Sequence, residues 1–195
     1  MKKRNILLGI TASIAAYKTC DLINLLKRDG HSVKVIMTEH ALKLVGPITI
    51  QSLTDNPVYT EMFNYISPGE EEIEHISLAK WCDLFAIVPA TGDIIGKVAN
   101  GIADDLLSTT IMALPKNKPV VIAPAMNTNM WLNRFVQKNV KVLQEESLRL
   151  KGRMLPKHTI IEPKKGHLAC GDNGIGALAN IEDIYKKIKE ILKLI

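Results

Sequence analysis

The stretch "GHLACGDNGIGAL" (166–178) places Cys170, one of only three cysteines in the chain, among glycines 166, 171, 174 and 176. An ordinary thiol is mostly protonated at neutral pH, so a cysteine outside the core can give a proton as well as attack. For a lone cysteine the plain alternative is an inert loop thiol. Three further stretches carry polar groups of similar interest. "GITASIAAY" (9–17) offers Thr11, Ser13 and the N–H groups of a helix start beside Gly9, a ready site for a phosphate. A strand-to-helix turn with a serine cap explains it equally well, and it matches neither GxGxxG nor a Walker A loop. "PATGDIIGKVANGIADDLL" (89–107) ends a strand at Pro89 and opens a helix on Thr91 and Asp93. Gly101 with Asp104 and Asp105 reads there as a kink bearing solvated carboxylates. "PAMNTNMW" (124–131) sets Asn127 and Asn129, either able to cap a helix, beside Met126, Met130 and Trp131. Apolar walls with a few polar groups are what a small-molecule pocket requires. His75 on its own reads as a surface histidine on a helix. Lys164 and Lys165 read equally as a solvated turn or as a cationic seat for a phosphate.

These residues need a scaffold, and the apolar pattern supplies one. "NILLGI" (5–10), "SVKVIMT" (32–38), "CDLFAIVPA" (82–90), "KPVVIAPA" (118–125) and "HTIIEP" read as strands. Between them "SIAAYKTCDLINLLKRDG", capped by Ser13 and stopped by Gly30, has helical spacing. So do "DIIGKVANGIADDLLSTTIMAL", broken near Gly101, "MWLNRFVQKNVKVLQEE" and the closing "NIEDIYKKIKEILKLI". Strands that are apolar almost throughout, alternating with helices, predict an α/β fold. The expected form is a Rossmann-like or flavodoxin-like three-layer α/β/α sandwich on a parallel sheet. In such sheets ligands bind beyond the carboxyl ends of the strands, where the four stretches fall.

Composition bounds the rest. A chain of 195 residues with 47% hydrophobic and 23% charged residues fits one soluble domain over 1–195. No apolar run approaches the roughly 20 residues that span a bilayer. The basic start "MKKRN" leads into a first strand rather than a signal peptide. An odd number of cysteines without a CxxC pair, and no His/Cys cluster at zinc spacing, predict a reduced, cytoplasmic protein with no metal. The net charge of +5 is spread along the chain, which argues against nucleic acid as a partner.

Taken in order, "GITASIAAYK", "EHISLAKW", "PATGDIIGKVANGIADDLL", "PAMNTNMW" and "GHLACGDNGIGALA" resemble the homo-oligomeric flavin-containing cysteine decarboxylases. Within that family the chain is most similar to the members that act on phosphopantothenoylcysteine in coenzyme A biosynthesis. The resemblance implies noncovalent FMN, a homotrimer or homododecamer, and, with no ligase-like domain following, a stand-alone decarboxylase. It implies an FMN phosphate near Gly9, Thr11, Ser13 and Ile14. Thr38, Pro89, Ala90, Thr91, Ser108 and Met126 would line the rest of the flavin site. Asn127 would hold the substrate carboxylate, with Met130, Trp131, Lys164, Lys165, Ala169 and Gly171 around the substrate. His75 would serve as a base while the substrate thiol is oxidised to a thioaldehyde, the electron sink for loss of carbon dioxide. Cys170 would then give a proton as the enethiol is reduced to 4'-phosphopantetheine.

The second stretch departs from the family pattern. Gly92, Asp93 and Ile94 stand where alanine, asparagine and threonine are usual, and Ala12 stands where glycine is common. Asp93 puts an acid where the family has an amide. Other readings on the same scaffold are a peptidyl-cysteine decarboxylase, a prenyl-flavin synthase and a nonenzymatic flavin-binding regulatory subunit. Cys170 and Asn127 speak against the first two, and the retained His75, Asn127 and Cys170 against the third.

Overall fold

The computed structural model describes residues 2–62 and 73–195. The five expected strands, β1 (Asn5–Ile10), β2 (Ser32–Met37), β4 (Leu84–Ala90), β5 (Val120–Pro124) and β8 (His158–Ile160), form one parallel sheet together with a short unexpected one, β3 (Val58–Tyr59). The spatial order is β3-β2-β1-β4-β5-β8. Every residue of β4 and β5 is buried, as strands covered on both faces must be. The period of two sorts the side chains of β1: Ile6, Leu8 and Ile10 point to one core and Leu7 to the other. The first core takes the apolar faces of α1 (Thr19–Arg28), α2 (Pro47–Thr54) and α8 (Ile181–Leu194). The second takes those of α3 (Glu74–Trp81), α4 (Gly92–Asn100), α5 (Leu106–Met112) and α7 (Arg134–Glu145).

β1 pairs with β2 on one side and β4 on the other. The strand order therefore reverses at β1/β4, and a crevice opens past their carboxyl ends. Ser13 caps the helix that follows β1, but its first turn, Ile14–Lys18, is a 3-10 segment that runs into α1. Gly30 ends α1 at φ +81°, as expected of a glycine stop. The long segment after β4 is two helices, because Gly101 takes φ +66° and closes α4 with a left-handed cap.

The expectation of solvated carboxylates at Asp104 and Asp105 is corrected. Lys97 Nζ lies 2.9 Å from Asp104, 3.1 Å from Asp105 and 3.3 Å from Asp93. Partial burial pulls the Lys97 ammonium down, but its hydrogen bonds to Asp104, Asp105 and Asp93 outweigh that and hold it above the usual lysine value. The helix expected over 130–146 is also two pieces: a single turn α6 (Thr128–Trp131), then α7 opened by an Asn133 cap.

Two antiparallel hairpins escaped the sequence pattern. β6 (Ser147–Leu150) pairs with β7 (Arg153–Pro156) across Lys151 and Gly152, both at positive φ. β9 (Lys164–His167) pairs with β10 (Asn173–Ala177), carrying the cysteine stretch at its tip. Among the described residues no helix is long and apolar enough to cross a membrane. None of their His, Cys, Asp and Glu side chains gather in threes as a metal site would need.

Candidate active site

The crevice at the β1/β4 switch is held shut at its base by one hydroxyl. Thr11 Oγ1 donates to the Pro89 carbonyl (2.8 Å) and accepts the Thr91 N–H (3.0 Å). Thr11 is 2% exposed, so its hydroxyl ties the two strand ends together and is not presented to a phosphate. Gly9 likewise does packing work: a Cβ there would lie 2.8 Å from Leu107 Cδ1. Pro89 and Ala90 are buried, and the Ala90 carbonyl accepts the Ala125 N–H at 3.0 Å, aligning the β5 turn. These four residues shape the crevice rather than line it. Ser13 and Ile14 are the accessible ones. Ser13 is half-buried and its Oγ accepts the Ala15 N–H at 3.4 Å, leaving a long, weak cap beside the first-turn N–H groups. Thr91 caps α4, its Oγ1 3.4 Å from the Ile94 N–H. Thr38, half-buried, closes β2 at the same edge, with its N–H on the Ile10 carbonyl.

Past β5, Asn127 does two things at once. Its Oδ1 accepts the Asn129 N–H (2.8 Å), which caps α6. Its Nδ2 donates to Cys170 Sγ at 3.2 Å, across 43 residues of sequence. The amide caps the helix with one atom and leaves the other for the Cys170 sulfur. The thiol in turn donates to Asp172 Oδ2 at 3.3 Å. The tip is a tight turn: the Leu168 N–H reaches the Asp172 carbonyl (2.8 Å) and the Gly171 N–H the Leu168 carbonyl (2.9 Å). Gly171 takes φ +90°, and Leu168 is buried beneath. Ala169, Cys170 and Gly171 are exposed.

What brings the tip to Asn127 is close approach of two backbones. The Met126 N–H donates to the Gly176 carbonyl at 3.0 Å. A Cβ on Gly176 would fall 2.2 Å from the Met126 carbonyl oxygen, and one on Gly174 the same distance from Thr128 Oγ1. Gly176 also sits in the irregularity between Ile175 and Ala177 at φ +141°, which side chains rarely adopt. Asp172, Gly174 and Gly176 are thus site residues that the sequence reasoning passed over. A Gly-x-Gly spaced by two along an alternating strand was the available signal.

The remaining candidates divide. His75 stands in the first turn of α3, half-buried, its Nδ1 enclosed and without a hydrogen-bond partner among the described residues. Thr128 Oγ1 is enclosed and unpartnered in the same way. Met126 is half-buried and Met130 exposed, both available to a ligand. Trp131 is not a pocket wall: at 3% exposed it packs in the second core, because α6 is one turn and rotates the indole inward. Ser108 is buried and its hydroxyl is taken up by the Asp105 capping box of α5. Lys164 bonds Asn180 Oδ1 at the start of α8, while Lys165 is exposed on β9 opposite Ile175.

A "Flavoprotein" family model matches residues 1–193. The probable phosphopantothenoylcysteine decarboxylase of Streptococcus mutans is 40% identical over 97% of this chain and 99% of its own length. The coenzyme A biosynthesis bifunctional protein CoaBC of Bacillus subtilis is 44% identical over 95% of this chain. There the chain spans only 42% of the relative's length. Among solved structures, a cysteine-to-serine mutant of PPC decarboxylase complexed with pantothenoylaminoethenethiol superposes with a TM-score of 0.82. It is 29% identical, over 98% of this chain and all of that one. The FMN binding protein AtHal3 superposes at 0.79 with 30% identity, over 98% of each chain. Fold, sequence and the ordered motifs agree, and the chain belongs to the flavoprotein family.

Proposed function

We propose that the chain is an FMN-dependent decarboxylase that converts 4'-phosphopantothenoylcysteine to 4'-phosphopantetheine. The observation that carries this is the meeting of Asn127 and Cys170 at 3.2 Å beside the carboxyl edge of the sheet. A carboxylate-holding amide and a proton-giving thiol are then within reach of one small substrate. The 40% identity to a decarboxylase of the same length supports the substrate assignment.

The residues fit a flavin. Ser13 and the first-turn N–H groups offer donors to a phosphate, with the added attraction of a helix start. His75 Nδ1 and Thr128 Oγ1 are enclosed polar atoms still lacking partners, which a bound group can satisfy. FMN, when bound, supplies the two-electron oxidation of the substrate thiol and the later return of that pair.

The chain's own residues do the rest. His75 accepts the proton released as the thiol is oxidised. Asn127 Nδ2 holds the substrate carboxylate by a neutral donor, which orients it without stabilising its charge against departure as an ammonium would. Met126 and Met130 supply apolar surface that suits neutral carbon dioxide better than a carboxylate. Cys170 gives its proton to carbon as the enethiol is saturated. Lys164 and Lys165, at the base of the hairpin, supply cations for the substrate phosphate. That the solved neighbour with a cysteine changed to serine was complexed with an aminoethenethiol supports a cysteine acting after decarboxylation.

The same reading includes self-association as a homotrimer or homododecamer and work in the cytoplasm. Exposed apolar side chains such as Ile102, Met112, Leu132 and Phe135 are in keeping with burial between copies. The test is direct: the purified protein is expected to carry noncovalent FMN, read by its absorption spectrum. It is expected to release carbon dioxide from phosphopantothenoylcysteine. Absence of release from flavin-loaded protein overturns the reading.

A further inference from the structure

Cys170 Sγ lies between two groups that together assign its proton. On one side Asn127 Nδ2, a donor only, points at the sulfur from 3.2 Å. On the other, Asp172 Oδ2 stands 3.3 Å away. A sulfur that accepts one hydrogen bond has its own hydrogen left to give, and the carboxylate is the acceptor in place. We infer that Asp172 is a positioning residue for Cys170: its carboxylate accepts the S–H hydrogen bond and holds the sulfur in place beside Asn127. The inference rests on the proposed role of Cys170 as proton donor and deepens it.

Three features make the arrangement more than the chance closeness of neighbours. The turn is closed twice, by Leu168 N–H to the Asp172 carbonyl and by Gly171 N–H to the Leu168 carbonyl, so residues 170 and 172 keep their spacing. Asp172 has no lysine or arginine within ion-pair distance among the described residues, so its charge is not spent on another partner. The hairpin that carries the tip is fixed to the Asn127 loop by the Gly176–Met126 hydrogen bond, which keeps the Cys170 backbone beside Asn127.

A thiolate in this position would face the carboxylate at hydrogen-bond distance, with like charges opposed. The step balances simply. The S–H bond of Cys170 breaks, its electron pair stays on sulfur, and a C–H bond forms at the enethiol carbon. The second C–H bond would use the electron pair withdrawn earlier from the same substrate, returned together with a hydrogen as a hydride equivalent from the reduced flavin. The thiolate left behind, exposed and beside a carboxylate, regains its proton from water.

The inference predicts reactivity that can be measured without substrate. Carbamidomethylation of Cys170 by iodoacetamide at pH 7, followed on its own tryptic peptide, is expected to run roughly 3–10-fold faster in Asp172→Asn than in the wild type, since the opposing charge is gone. Asp172→Glu, which keeps the charge, should stay near the wild-type rate. In turnover, Asp172→Asn is expected to lower the ratio of saturated product to the product two hydrogens lighter. Equal alkylation rates in wild type and Asp172→Asn overturn the inference, as does Asp172→Glu reacting as fast as Asp172→Asn. Because alkylation needs no substrate, its outcome is separable from failure of the decarboxylase reading, which would show as no carbon dioxide release by wild type.

Discussion

At the scale of residues, the hydroxyls and amides of this chain divide between those consumed by the fold and those left for a ligand, and sequence alone could not divide them. Thr11 and Ser13 lie in one motif two positions apart. Yet Thr11 is buried with both Pro89 and Thr91 on its oxygen, while Ser13 stays accessible. Trp131 and Met130 are adjacent, and only the methionine is outside the core. Asn127 shows the converse, since its two amide atoms serve the cap and the thiol separately. The expected Cys170 role yields a prediction at this scale. Cys170→Ser offers a far weaker acid in the same place, so it should still decarboxylate. Its product should be two hydrogens lighter than phosphopantetheine, as read by mass spectrometry. Phosphopantetheine made at the normal rate by that variant would remove the role.

At the scale of elements, strands and helices with strong periodicity were legible, and breaks and short pieces were not. The five apolar runs read as strands all entered the sheet, because a strand covered on both faces leaves little ambiguity. The hairpins at 147–156 and 164–177 were missed because their strands are four or five residues long and mostly exposed, with no buried face to write a pattern. Glycines 174 and 176 let β10 lie against the 126–128 backbone. Gly174→Ala tests this. A Cβ placed 2.2 Å from Thr128 Oγ1 should cost about 1–3 kcal/mol by overpacking, read as a lower Tm. It should also displace Cys170 from Asn127, so the share of saturated product falls. An unchanged Tm and product would mean that the hairpin is not docked as described.

At the scale of the whole molecule, stability is tied to two histidines far from the site. His31 and His158 are 3% and 5% exposed, and burial pushes both imidazoles below their ordinary value of 6.5. Among the described residues neither His31 Nε2 nor His158 Nδ1 has a hydrogen-bond partner, although Glu146 Oε2 lies 3.6 Å from His158 Nδ1 and offsets part of the effect of burial. Because the folded values are depressed, the unfolded chain binds more protons just below pH 6.5. The stability they contribute is therefore complete above that pH and lost as pH falls through the folded values. Thermal denaturation should show Tm falling between pH 7.5 and 5, and the slope should flatten when both histidines are replaced by glutamine. The same slope in that variant would place the pH sensitivity elsewhere. The parallel sheet was legible in the sequence and the strand order that makes its switch point was not; the two histidines lie away from that edge, at the starts of β2 and β8.

The central claim is that this edge decarboxylates a cysteinyl substrate and then saturates what remains. Its most direct measurement is the mass of the product that wild-type, flavin-loaded protein makes from phosphopantothenoylcysteine. The account predicts loss of carbon dioxide alone, giving phosphopantetheine with both hydrogens in place. A product two hydrogens lighter, or substrate returned unchanged, would contradict it.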